Sequence, residues 1–238
     1  MLDLGVVAAL FAAGFASGLA GFAFALIASG VLFLFLPPLE AVPLVLAASA
    51  AAQVLTIPAM RKAMSWPRLW PFLVGGLVGV PFGTALLRFA PAAAFRLGLG
   101  SFLIAYSLFM LTRRTAYVLP RVGQGADGAV GFVGGVLGGF AGLSGALPTI
   151  WCGLRGWTRD EQRAVYQPYV LTMQIASLAS VGASVHLSAT VLRLLLESLP
   201  GMFLGVWLGL RLYRRVDEVW FRRIILALLL VSGGVLVA

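Results

Sequence analysis

Gly75-Gly76-Leu77-Val78-Gly79-Val80-Pro81-Phe82-Gly83 returns later in the chain as Gly201-Met202-Phe203-Leu204-Gly205-Val206-Trp207-Leu208-Gly209, with glycine at every fourth position of both stretches. Phe95-Arg96 lies as far beyond the first ladder as Phe221-Arg222 lies beyond the second. Ahead of each ladder stands a Gly-Phe opening, Gly14-Phe15-x-x-Gly18-x-x-Gly21 and Gly131-Phe132-x-x-Gly135-x-x-Gly138. The offset is 117 residues at the openings and 126 at the ladders, so one half has gained a few residues between them. An internal repeat in a chain this apolar marks a duplicated membrane protein of transporter type.

Composition points the same way. Of 238 residues, 61% are hydrophobic and 11% charged, with a mean hydropathy of +1.02. Soluble domains carry about 25% charged residues, and the apolar runs here exceed the roughly 18–20 residues that cross a bilayer as helix. Membrane β-strands would alternate in polarity, which Leu44–Ile57 does not. The net charge of +9 could suit a nucleic acid, but the cations sit in short clusters between apolar runs rather than on one segment. That dispersal argues against a nucleic-acid partner. One cysteine, Cys152, excludes an internal disulfide, and one histidine with one cysteine supplies too few soft ligands for a metal site. No cofactor is implied. Residues 1–35 lack the basic start of a cleaved signal peptide, and their pattern returns after Gly131.

Apolar segments run at about 4–36, 41–60, 69–87, 97–112, 128–153, 164–185, 190–210 and 224–238. They divide the chain into a first transmembrane repeat (1–112), a cytoplasmic linker (113–127) and a second repeat (128–238). Prolines 58, 81, 148, 168 and 200 are expected to kink or stop helices. The cations then choose the topology. Suppose the first segment of each half is a glycine-broken re-entrant or V-shaped hairpin followed by three transmembrane helices. The connections at 61–68, 113–121, 155–163 and 211–223 then share one side, and only Arg88, Arg96 and Arg193 of the seventeen cations stay opposite. That distribution obeys the positive-inside rule, and the odd crossing count inverts the second repeat relative to the first. The expected fold is therefore an all-α polytopic membrane protein of two inverted repeats.

Broken helices at matching places in two repeats point to a transporter's binding site, because helix starts offer unpaired N–H groups to anions. The expected tips are Gly21-Phe22 and Gly139-Phe140, with Gly138, Ser17 and Ser144 nearby and Gln53, Gln167 and Gln174 as neutral donors within spans. For Gln53, Gln167 and Gln174 the competing role is hydrogen bonding between helices, and for the openings it is close packing through small residues. The ladders read as packing, with a surface that could support a homodimer. Arg163 and its neighbours Asp160 and Glu161 read as a solvated loop, so no cation is expected inside the membrane. Glu197 reads as an ion-pair partner of Arg193, and His186 as an interfacial residue.

The Gly-Phe openings, Leu36-Pro37-Pro38-Leu39-Glu40-Ala41-Val42, Arg163-Ala164-Val165-Tyr166-Gln167-Pro168 and the two ladders together resemble the sulfite exporter TauE/SafE family of membrane permeases. Phe22-Ala23-Phe24 departs from it, standing where family members are often glycine-rich. The resemblance implies a secondary transporter, not an enzyme, that moves sulfite, organosulfonates or similar small anions across the bacterial inner membrane. A coupling ion, proton or sodium, is left open. The competing class is an intramembrane serine protease of rhomboid type, using Ser144 of Gly142-Leu143-Ser144-Gly145 with His186.

Overall fold

The computed structural model describes residues 2–21, 23–58, 64–112, 119, 122–182, 188–212 and 218–237. Those residues form ten helices: α1 (Leu2–Ala20), α2 (Ala23–Phe35), α3 (Pro38–Thr56), α4 (Trp66–Phe89), α5 (Ala92–Thr112), α6 (Gln124–Ala141), α7 (Ala146–Leu154), α8 (Arg159–Gly182), α9 (Ala189–Leu212) and α10 (Glu218–Val237). There is no strand among them. The starts are set locally. Pro37 in an extended conformation places Pro38 at the first turn of α3, where a missing N–H costs nothing. Thr158 and Glu161 form a reciprocal capping box, with Glu161 accepting the Thr158 amide at 2.9 Å and Thr158 accepting the Glu161 amide at 3.4 Å.

Helices α3, α4, α5 and α9 are long and apolar enough to cross a membrane. At 1.5 Å per residue, the 24 residues of α4 and of α9 reach about 36 Å. Trp70, Leu77, Phe82 and Leu86 on α4, with Leu192, Leu196 and Leu204 on α9, leave exposed apolar faces suited to hydrocarbon. α3 stops at Thr56 ahead of Pro58, but α4, α8 and α9 continue past Pro81, Pro168 and Pro200. Arg193 and Glu197 do form the expected ion pair, at 3.1 Å.

The ladders and the openings pack against each other across the two halves. α4 lies along α6, and α1 along α9. A Cβ on Gly75, Gly79 or Gly83 would run into the carbonyl oxygens of Gly128, Phe132 and Val136, and one on Gly131 or Gly135 into Phe72 and Gly76. Likewise Gly14 and Gly18 face Met202 and Val206, while Gly205 and Gly209 face Phe11 and Phe15. Contacts advance in step along both partners, so each pair runs parallel. Small residues let the backbones touch, which is how helices associate without a hydrophobic driving force between them. Two expectations change here. Most glycines of the openings serve packing rather than broken backbone, and the ladders are covered within the chain, so they offer no surface for a dimer.

Arg68 pairs with Glu161 at 2.7 Å, and Asp127 accepts from the Trp151 indole at 2.6 Å and from Arg155 at 3.4 Å. The guanidinium carbons of Arg68 and Arg155 lie 5.0 and 5.7 Å from the Trp157 ring. The starts of α4, α6 and α8 therefore share one end of the molecule with the end of α7. Beside Arg68, the Glu161 carboxyl is held down at about 2 by the hydrogen bond it accepts.

Candidate functional site

Two glycines break the first segment of each half. Gly21 has φ +80° and Gly142 φ +76°, conformations that favour glycine because an L side chain is strained there. Gly21 donates to the Ser17 carbonyl at 2.7 Å and closes α1, and α2 begins at Ala23. At the second break, Gly142 donates to Gly138 at 2.8 Å and Leu143 to Leu137 at 3.2 Å, a left-handed glycine ending of α6 ahead of α7. The second tip was expected at Gly139-Phe140, but it lies at Gly142. Gly139 and Phe140 belong to the body of α6. There Gly139 faces Val80 and Thr84 of α4, and the Phe140 ring lies 4.7 Å from that of Phe95. Gly138 does face the break, against the Cβ of Ser144.

The surroundings of the two breaks differ in kind. A Cβ built on Gly21 would fall 2.6 Å from Gln167 Nε2, 2.9 Å from Arg163 Nε and 3.0 Å from the Tyr166 hydroxyl. A Cβ on Gly142 would meet only hydrocarbon, Val45 Cγ1 at 3.0 Å and then Leu46. The first break is polar and carries a charge; the second is lined there by aliphatic side chains of α3.

Arg163 is the correction that matters most. It was expected in a solvated loop, with no cation inside the membrane. It lies instead in the second turn of α8, 3% exposed, and reaches the Gly18 carbonyl at 3.5 Å. A guanidinium there complements the negative end of α1. The missed signal was the capping box: Thr158-x-x-Glu161 starts α8 early enough to carry Arg163 into the helix, one turn before Gln167.

Gln53 and Gln167 behave differently. Gln53 Nε2 donates to the Gly21 carbonyl at 3.2 Å, and its Oε1 accepts from Thr56 at 3.0 Å, so this side chain clasps the break. Gln167 has no exposed surface, and neither its Oε1 nor its Nε2 has a hydrogen-bond partner among the described residues. Leaving such a group unpaired costs about 1–3 kcal/mol, so the arrangement suits a ligand. Ser17 is fully buried one turn before Gly21, its hydroxyl likewise unpartnered there. Ser144 is fully buried at the second break, and Gln174 donates to Ser49 on α3 at 2.5 Å. Phe22 and His186 lie outside the described residues.

Long apolar helices, two further segments broken at left-handed glycines, and a buried arginine beside one break define a helical integral membrane protein. The chain matches the family described as "Sulfite exporter TauE/SafE" over residues 6–236, nearly its whole length, and belongs to that family of membrane transporters. A comparison with curated proteins finds no match, and neither does one with solved structures. The serine-protease alternative gains no support from this match.

Proposed function

We propose that this chain is a secondary transporter of small sulfur oxyanions or organosulfonates, binding its substrate at the first helix break. The unpartnered, fully buried carboxamide of Gln167 beside Gly21 carries this reading. An anion there meets the free amides at the start of α2, the Gln167 N–H and the Arg163 guanidinium. Arginine's planar fork matches an oxyanion with two parallel hydrogen bonds, and the dipole of α2 adds to its charge. Tyr166 and Ser17 supply hydroxyls, while Gln53 holds the Gly21 carbonyl and fixes the bend. Membrane-buried charges are costly and mark substrate pathways.

The two halves, 1–112 and 128–238 about a join at 113–127, act as inverted repeats in this account. The support is that both break at their first segment, and that the opening of each packs in parallel on the ladder of the other. Clustering of cations at the end that holds Arg68, Arg155 and Trp157 supports a cytoplasmic placement of that end in a bacterial inner membrane.

The test is exchange of labelled sulfite across proteoliposomes by the parent and by Arg163→Gln. Exchange by the parent is expected, with affinity in the variant down about 10- to 150-fold, the value of one hydrogen bond to a charged group. A parent that exchanges none of sulfite, thiosulfate and sulfoacetate would refute the proposal.

A further inference from the structure

The two breaks end their helices differently. At the first, the Arg163 guanidinium reaches the Gly18 carbonyl and sets a positive charge against the end of α1. At the second, no cationic side chain bonds to the end of α6 among the described residues. The Leu137 and Gly138 carbonyls accept from Leu143 and Gly142, but those of Gly139 and Phe140 have no partner among the described residues. The Ala141 carbonyl has only the Ser29 hydroxyl, at 3.4 Å. Gly139 and residues 141–146 are all buried, and buried carbonyls are costly to leave unmet.

Donors are scarce at the same place. Of the first four residues of α7, Ala146 already donates to Leu143 and Thr149 to Gly145, and Pro148 has no N–H. The Ser144 hydroxyl is fully buried and has no partner among the described residues. A serine inside a helix can turn back to the carbonyl four residues earlier. Ser144 follows the left-handed turn at Gly142 and stands outside both helices, so it lacks that geometry. Its Cβ lies 2.8 Å from a Cβ built on Gly138, which sets it against the last turn of α6. The second break is therefore rich in oxygen acceptors and poor in N–H donors, and no acidic side chain bonds to it among the described residues. Such a set suits a hard cation of single charge, because divalent ions are held through carboxylates. The carbonyl ends of interrupted helices coordinate sodium in other transporter folds.

We infer that the end of α6 binds a monovalent alkali cation through the carbonyls of Gly139, Phe140 and Ala141 and the hydroxyls of Ser144 and Ser29. Its role as a coupling ion rests on the transport reading above. Ser29 belongs to α2, whose start faces the anion at Gly21, so one helix meets both ions. Six residues separate Ala23 from Ser29, about 9 Å at 1.5 Å per residue. Opposite charges that close in a membrane interior favour each other's binding.

Thermal unfolding in detergent, without sulfite and at fixed ionic strength, compares sodium, potassium and choline chlorides. The parent should be stabilised saturably by an alkali cation over choline. Ser144→Ala and Ser29→Ala should each need about tenfold more cation for the same shift, no less than is lost with a group behind a metal's own ligands. Ser198→Ala, which removes an equally buried hydroxyl on α9, should respond as the parent does. Either of the first two variants suffices if the other fails to fold. A parent indifferent to both alkali cations overturns the inference, as does an unchanged response in a folded Ser144→Ala or Ser29→Ala. Sulfite exchange in proteoliposomes then reads the coupling: it should run faster in the alkali cation than in choline, and equal rates overturn the coupling role. A parent that binds the cation yet exchanges no sulfur oxyanion refutes the transport reading and leaves the cation site standing.

Discussion

Replacing either break glycine by alanine should separate strain from function. Both Gly21 and Gly142 hold left-handed φ angles, so Gly21→Ala and Gly142→Ala each add about 1–2 kcal/mol of backbone strain. Their added methyls meet different neighbours. At Gly142 the methyl presses on Val45 at 3.0 Å, a side chain that can shift by a few tenths of an ångström within hydrocarbon. At Gly21 it lands 2.6 Å from Gln167 Nε2 and 2.9 Å from Arg163 Nε, and must push both out of the place an anion would occupy. Losing one charge-assisted hydrogen bond costs about 1.5–3 kcal/mol, or roughly 10- to 150-fold in affinity. Thermal unfolding in detergent should therefore show similar destabilisation of the two variants without ligand. Sulfite should stabilise Gly142→Ala much as it does the parent, and Gly21→Ala hardly at all. Equal loss of sulfite response in both would refute the assignment to the first break and place the anion between the two.

Gly135→Ala, whose methyl would strike the Gly76 backbone, should destabilise by about 1–3 kcal/mol, whereas Gly98→Ala, with open space around it, should be neutral or stabilising; denaturant titration checks both, and sulfite affinity should follow neither. Asp127→Ala leaves the Trp151 indole and the Arg155 guanidinium buried without their carboxylate and should cost about 3–5 kcal/mol, with Asp127→Asn recovering part of it through Trp151. The Arg68–Glu161 pair predicts a pH effect. With the Glu161 pKa lowered to about 2, its contribution is full above the ordinary carboxylate range and disappears as pH falls through about 2. Because both side chains are more than a third exposed, Arg68→Gln should change stability by under about 1 kcal/mol at pH 7, and unfolding of parent and variant should converge toward pH 2.

Much of this architecture was legible before any coordinates. Hydropathy fixed the class, because hydrocarbon leaves the backbone no partner but itself. Repeated Gly-Phe openings located both broken segments. What pattern could not show was which glycine breaks and which packs: Gly14, Gly18, Gly21, Gly131, Gly135, Gly139 and Gly142 look alike in sequence, and only their neighbours distinguish them. The ladders read as packing from their spacing alone, but the residues they pack against in the opposite half lie 53 or more positions away and leave no local trace. Gln53, Gln167 and Gln174 were singled out as polar groups in apolar runs. A cluster of charges ahead of a span looks like a loop, which hides Arg163, and it is the Thr158–Glu161 capping box, starting α8 at Arg159, that carries it into the helix. The difference between the two breaks is a tertiary fact, set by Arg163, Tyr166 and Gln167 of α8 lying beside Gly21 and by Val45 and Leu46 of α3 lying beside Gly142.

The central claim is that the transported anion sits at Gly21 between the start of α2 and Arg163. Selenite, the heavier counterpart of sulfite, makes the position visible by anomalous scattering in a crystal of the protein with methionine left as sulfur. The account predicts one strong selenium peak within hydrogen-bonding reach of Arg163 and Gln167. A principal peak at Gly142 and Ser144, with none beside Arg163, would contradict it.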